Sequence, residues 1–124
     1  MNRIMMQVYT KDSKEAVDTY MKAFDATLGF NVKDGEDNYY HCELDICGNT
    51  LAVAELNDGM EERVTGNTMQ FCLHYGEGKE GQVTKAYEIL KEGSEIIVPL
   101  GLCDFSPLCT DLIDKFGVRW CLFI

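Results

Sequence analysis

Two stretches of this 124-residue chain run through the same order of periodicities, and that repeat limits the folds open to it more than any single motif does. Arg3 to Tyr9 is apolar or β-favouring with partial alternation, which reads as a strand. Asp12-Ser13-Lys14-Glu15 then has the pattern of a helix start, in which Asp12 caps the first free amides and Glu15 reaches back. Val17, Tyr20, Met21 and Phe24 recur at helical spacing and predict a buried helix face. After Gly29 the period shortens, and Phe30 and Val32 mark a short strand that ends at Asp34-Gly35. Tyr39 to Cys47 sets Tyr40, Cys42, Leu44 and Ile46 against Tyr39, His41, Glu43 and Asp45, the alternation of a strand with one apolar and one polar face. Gly48-Asn49 supplies the positive backbone angles of a tight hairpin, and Thr50 to Leu56 is the returning strand.

The order restarts after residues 57–66, a polar, glycine-containing stretch that reads as a connector. Thr68 to Tyr75 is a strand, and Gly78 to Glu92 is a helix with Val83, Ala86, Tyr87 and Leu90 on one face and Gly93 at its stop. Glu95 to Val98, Leu108 to Ile113 and Val118 to Ile124 complete the second set of strands. The reading is a single α+β domain over residues 1–124, made of two β-α-β-β-β modules, 1–56 and 67–124. Each module packs one helix on the outer face of a curved mixed sheet and leaves the inner face to line a cavity. The halves share element order and not residues.

Composition narrows the partners. With 46% hydrophobic and 26% charged residues the chain has enough apolar material for a core without staples. Eleven Lys plus Arg stand against 21 Asp plus Glu, a formal charge of −10, so phosphate backbones and anionic membrane surfaces are repelled. The start holds no long apolar run and no small-residue cleavage site, and no later segment approaches the roughly 20 apolar residues of a membrane span. The expectation is therefore a cytoplasmic protein with no nucleic-acid or membrane partner. The six cysteines read as reduced thiols, because a disulfide framework belongs to smaller exported chains and no Cys-x-x-Cys spacing points to zinc.

His41-Cys42-Glu43-Leu44-Asp45-Ile46-Cys47-Gly48, the pair Pro99-Leu100, and above all Asp114-Lys115-Phe116-Gly117-Val118-Arg119-Trp120 resemble the corresponding segments of PhnB-like proteins. That branch belongs to the vicinal oxygen chelate superfamily, with glyoxalase I, bleomycin-resistance proteins and extradiol dioxygenases. The resemblance implies paired β-α-β-β-β modules assembled as a homodimer, with a cavity under the sheets. It also implies a metal held by His, Glu or Gln from the first, fourth, fifth and eighth strands. Here those positions fall on Met5, on Glu55, on Gln70 and on Cys121. Methionine and a thiol are too soft for the hard or borderline cations of that chemistry, and Arg119 adds a positive charge beside the last position. No metal or other cofactor is expected on this reading.

The cavity-facing candidates for binding a small molecule are Gln7, Tyr9, Glu55, Gln70, His74, Arg119, Cys121 and Phe123, with no catalytic residue assigned. Arg119 favours an anionic or carbonyl-bearing group. Glu55 is either a general base in a dry cavity or a strand-end cap in water. His74 has the intrinsic pKa for acid–base work but no partner in the sequence, whereas His41 beside Glu43 reads as a solvated cross-strand residue. Cys121 reads as a small buried hydrophobe. The glycines Gly76, Gly78 and Gly81 precede a helix without phosphate-loop spacing, so they mark a turn. The irregular apolar segment Pro99 to Pro107 either covers a cavity mouth or a partner subunit, or packs into the core. The alternative function is a metal-dependent glyoxalase-type lyase, isomerase or dioxygenase using Glu55, Gln70 and His74.

Overall fold

A computed structural model of the chain describes residues 1–56 and 66–124. It falls into two compact units, Met1–Arg63 and Val64–Ile124. The expected connector at 57–66 lies outside the described residues except for Gly66. The fold is α+β, with two helices and two four-stranded mixed sheets.

In the first unit β1 (Met6–Thr10), α1 (Ser13–Phe24), β2 (Thr27–Lys33), β3 (Tyr39–Ile46) and β4 (Asn49–Glu55) form a sheet of order β1-β4-β3-β2. Only the β1–β4 pair is parallel, Val8 opposite Val53. The alternation of β3 does what the sequence predicts on one side, where Cys42 and Leu44 are buried with Leu51 and Val53 of β4. Ala16, Val17, Tyr20, Ala23 and Phe24 form the buried stripe of α1, which packs on β1, β3 and β4.

The helix starts differently from its sequence pattern. Asp12 adopts a left-handed conformation (φ 56°) and makes no side-chain cap. Its amide and that of Ser13 instead donate to the carboxylate of Glu55 at 3.1 and 2.7 Å. The hairpin between β3 and β4 is shifted by one residue, since the positive angles belong to Cys47 (φ 46°) and Gly48 (φ 87°) while Asn49 already opens the strand. β1 also begins at Met6, leaving Arg3 free of the ladder.

The second unit repeats the plan with β5 (Phe71–His74), α2 (Glu80–Leu90), β6 (Glu95–Gly101), β7 (Cys109–Ile113) and β8 (Arg119–Phe123), in the order β5-β8-β7-β6. β5 and β8 are parallel, with Phe71 opposite Trp120 and Leu73 opposite Leu122. Trp120, Leu122 and Leu112 are buried, as are Val83, Ala86 and Leu90 of α2, which packs on β8. Burying side chains of this size stabilises by about 1.5–3 kcal/mol each. Met69, inside the strand expected over Thr68 to Tyr75, is 76% exposed and lies two residues before β5 begins.

The Asp114-to-Trp120 motif is a hairpin built around one buried carboxylate. Asp114 accepts the amides of Phe116 and Val118 at 2.9 and 3.0 Å and the indole N–H of Trp120 at 2.8 Å. Gly117 takes the positive φ (87°) that closes the turn. The first unit has a simpler version, in which Asp45 accepts the amide of Gly48 at 2.9 Å. The halves thus share an Asp-x-x-Gly hairpin, a residue-level repeat that element order alone does not reveal. Cys103 and Cys109 are joined as a disulfide, with Cα atoms 6.2 Å apart, which corrects the reading of all six cysteines as thiols. The two ends of a short irregular loop sit close enough for the bond, a proximity invisible in spacing alone.

Candidate functional site

Strand alternation places the second sheet's other face on Cys72 and His74 of β5, Arg119, Cys121 and Phe123 of β8, and Cys109 and Asp111 of β7. Arg119 is fixed by a bidentate ion pair, Nε to Asp111 Oδ1 at 3.0 Å and Nη2 to Oδ2 at 2.8 Å. This carboxylate raises the guanidinium pKa, hydrogen bonding first and charge after. A guanidinium has five N–H donors in a planar fork, so the pair with Asp111 orients the group and leaves donors on Nη1. Asp111 was not among the sequence candidates; the signal available was a lone acid within a strand of otherwise apolar or hydroxyl residues.

Gln70 stands one residue before Phe71, and Arg119 one residue before Trp120, the first pair of the β5–β8 ladder. Its Oε1 lies 3.7 Å from Cys72 Sγ, which donates to it. Its Nε2 is buried and has no hydrogen-bond partner among the described residues. A buried amide donor left unmatched costs roughly 1–3 kcal/mol, so such a group marks either strain or a place meant for an acceptor. At the other end of the face the His74 ring stacks on Phe123, centroids 4.7 Å apart and planes 7° from parallel. Phe105, 65% exposed, meets Phe123 edge-on at 5.3 Å. Leu102 is exposed too, so neither of these two residues of the Pro99 to Pro107 segment packs as core. Cys121 between these ends is half-buried, and its thiol is pushed up to about 11, by burial first and by Cys72 next.

On the first sheet Gln7 and Tyr9 share a face with His41 and Glu43, and with Ala52 and Ala54 between them. His41 Nδ1 is 3.0 Å from Gln7 Oε1 and its Nε2 is 3.1 Å from Glu43 Oε1. Arg3 closes the network from outside the ladder, its two Nη atoms donating to Glu43 at 2.9 and 2.7 Å. Hydrogen bonds from Arg3 and then His41 hold the Glu43 carboxyl below its ordinary pKa. His41 is thus a half-buried member of a polar network, more constrained than a solvated cross-strand residue. The Arg3–Glu43 pair spans 40 residues of sequence, and no local pattern announces it.

Glu55 departs from the other candidates. It alternates with Leu51 and Val53 and turns to the helix side, where both carboxylate oxygens serve α1. Each position at which the resemblance implies a metal ligand can be weighed on its own. Met5 and Cys121 are soft, Glu55 is engaged by two amides, and Arg119 brings a positive charge. Among the described residues no three His, Cys, Asp or Glu side chains converge on one point. Among the same residues no helix is long and apolar enough to cross a membrane.

The sequence matches no protein-family model and no curated protein. Solved structures do share its fold. The PhnB protein from Bacillus cereus is 18% identical, with a TM-score of 0.82 over 98% of each chain. Protein PA1353 from Pseudomonas aeruginosa is 18% identical at a TM-score of 0.80, covering 99% of this chain and 97% of that one. The fosfomycin resistance protein FosX from Listeria monocytogenes, in a complex with Mn(II) and a dihydroxypropylphosphonic acid, is 14% identical at 0.66, covering 99% and 90%. This chain thus shares the fold of the PhnB protein and of FosX, with the two helices and two four-stranded sheets that the resemblance implies.

Proposed function

We propose that this protein binds a small, partly apolar molecule bearing a carboxylate or carbonyl group, without a divalent metal, and that it works as a cytoplasmic homodimer. The binding surface is the face of the second sheet carrying Gln70, His74, Arg119 and Phe123. Two observations carry the reading together, the buried, unmatched amide of Gln70 just before β5 and the Arg119 guanidinium oriented by Asp111 at the start of β8. Two donors aimed by the protein suit one oxygen-rich group, and the stacked His74 and Phe123 rings suit an apolar or planar remainder.

The test is thermal denaturation of the dialysed protein against a panel of carboxylic, keto and aromatic acids. A ligand at a hundred times its Kd stabilises by about 2.7 kcal/mol, a readily measured rise in Tm. The rise is expected for the natural chain and is lost in Q70L and R119K, which remove the amide donor and the fork geometry. Equal shifts in the variants defeat the assignment of the surface. Near-stoichiometric nickel, zinc, iron or manganese surviving dialysis defeats the metal-free part and restores the glyoxalase-type alternative. Light scattering checks the dimer, which has twice the 14.0 kDa mass of the chain.

A further inference from the structure

Cys72 and Cys121 are partners in the parallel β5–β8 ladder and lie on the same face of the second sheet. Both are free thiols, Cys72 exposed and Cys121 half-buried. The geometry points to a two-thiolate site for one soft, monovalent cation of the Cu(I) class, held between Cys72 Sγ and Cys121 Sγ.

Spacing favours an ion over a bond between the sulfurs. Side chains of directly paired residues on parallel strands leave the sheet side by side, so their Cβ atoms stay near the strand spacing of ~4.8 Å. A disulfide draws its Cβ atoms to ~3.8 Å. Metal–thiolate bonds are ~2.3 Å long, so two of them in line span ~4.6 Å, which fits the strand spacing without moving either backbone. Coordination number selects the ion. Zinc completes a tetrahedron, but no third His, Cys, Asp or Glu joins a cluster here among the described residues, while soft thiolates in a two-coordinate arrangement suit Cu(I). Binding replaces two thiol protons with one cation, giving a site of charge −1. The inference does not rest on the small-molecule reading, since two thiols and an ion need no organic ligand.

The experiment is anaerobic titration of the reduced full-length chain with Cu(I) in competition with the chromophoric chelator bicinchoninate. One equivalent is expected to be withdrawn from the chelator by the natural chain, and C72S and C121S each weaken the uptake at least a hundredfold. C47S, which removes an exposed cysteine elsewhere, and the double variant C103S/C109S, which removes the disulfide pair, keep it. Far-UV circular dichroism on each variant confirms that the chain is folded, and exposed Cys72 makes C72S the variant that decides. No withdrawal by the natural chain, undiminished uptake by C72S, or loss of uptake in C47S or C103S/C109S overturns the site. Failure of the acid panel above leaves these outcomes unchanged, so the two readings fall separately.

Discussion

Superimposing the two hairpin glycines, Gly48 and Gly117, sets the halves of the molecule in one register. On the helix-facing sides Leu51 then matches Trp120 and Val53 matches Leu122, all buried. On the other faces Thr50 matches Arg119, Ala52 matches Cys121 and Ala54 matches Phe123. Both modules put an acid of their third strand on that other face and clamp it with arginine, yet the arginine comes from different places. Glu43 is held by Arg3 from outside the sheet, and Asp111 by Arg119 from the neighbouring strand. In the middle of the strands the side that builds the module exchanges one apolar residue for another, whereas the side that faces away from the helix changes chemistry. That freedom puts the candidate site in the second module.

The hairpins offer the sharpest way to break the comparison. Asp114→Ala strips a buried carboxylate from three donors and is expected to cost about 3 kcal/mol in urea denaturation. Asp45→Ala removes one exposed hydrogen bond at the matching turn and should cost less than about 1 kcal/mol. Equal losses would mean that the two turns support their modules alike. Next in size is Glu55→Ala, which uncaps α1 and is expected to cost about 1–2 kcal/mol in the same measurement. The matching position in the second module is Ile124, so Ile124→Ala should leave the start of α2 intact, a contrast that amide exchange along the two helices can read.

The smallest effect concerns pH. Glu43 has its pKa lowered by Arg3 and His41, so its contribution is present above the pKa of an unfolded glutamate, near 4.3, and is lost as pH falls through its folded value. The Tm of the natural chain should fall more steeply than that of Glu43→Gln as pH drops below that range. Parallel profiles would sink the idea that this network is electrostatically coupled to folding.

Most of the architecture was legible because it is periodic. The middle of the β3 alternation and most of the apolar stripes of both helices act over a few residues and formed where the pattern put them, whereas at the start of β3 Tyr39 is buried and Tyr40 exposed, the reverse of the alternation. What sequence concealed was distant in the chain. Glu55 and the amides it caps are separated by more than 40 residues, as is the partnership of Arg3 with Glu43 in nearly equal measure. Asp12 looked like a cap because its type and spacing suit one, but a carboxylate arriving from β4 took the amides and left Asp12 to make the turn. Gln70, His74, Arg119, Cys121 and Phe123 could be placed on a face by counting, whereas the pairing of Arg119 with Asp111 needed the register of β7 on β8.

The Glu55 cap has a consequence for how the first module opens. The amide of Ser13 belongs to the start of a helix, where such groups ordinarily fray and exchange with solvent deuterium at little cost. Here it is tied to a carboxylate 42 positions later, on the strand that lies between β1 and β3. Its protection therefore records whether β4 is docked, and one slow proton near the beginning of the chain becomes a clock for the closing of the whole module.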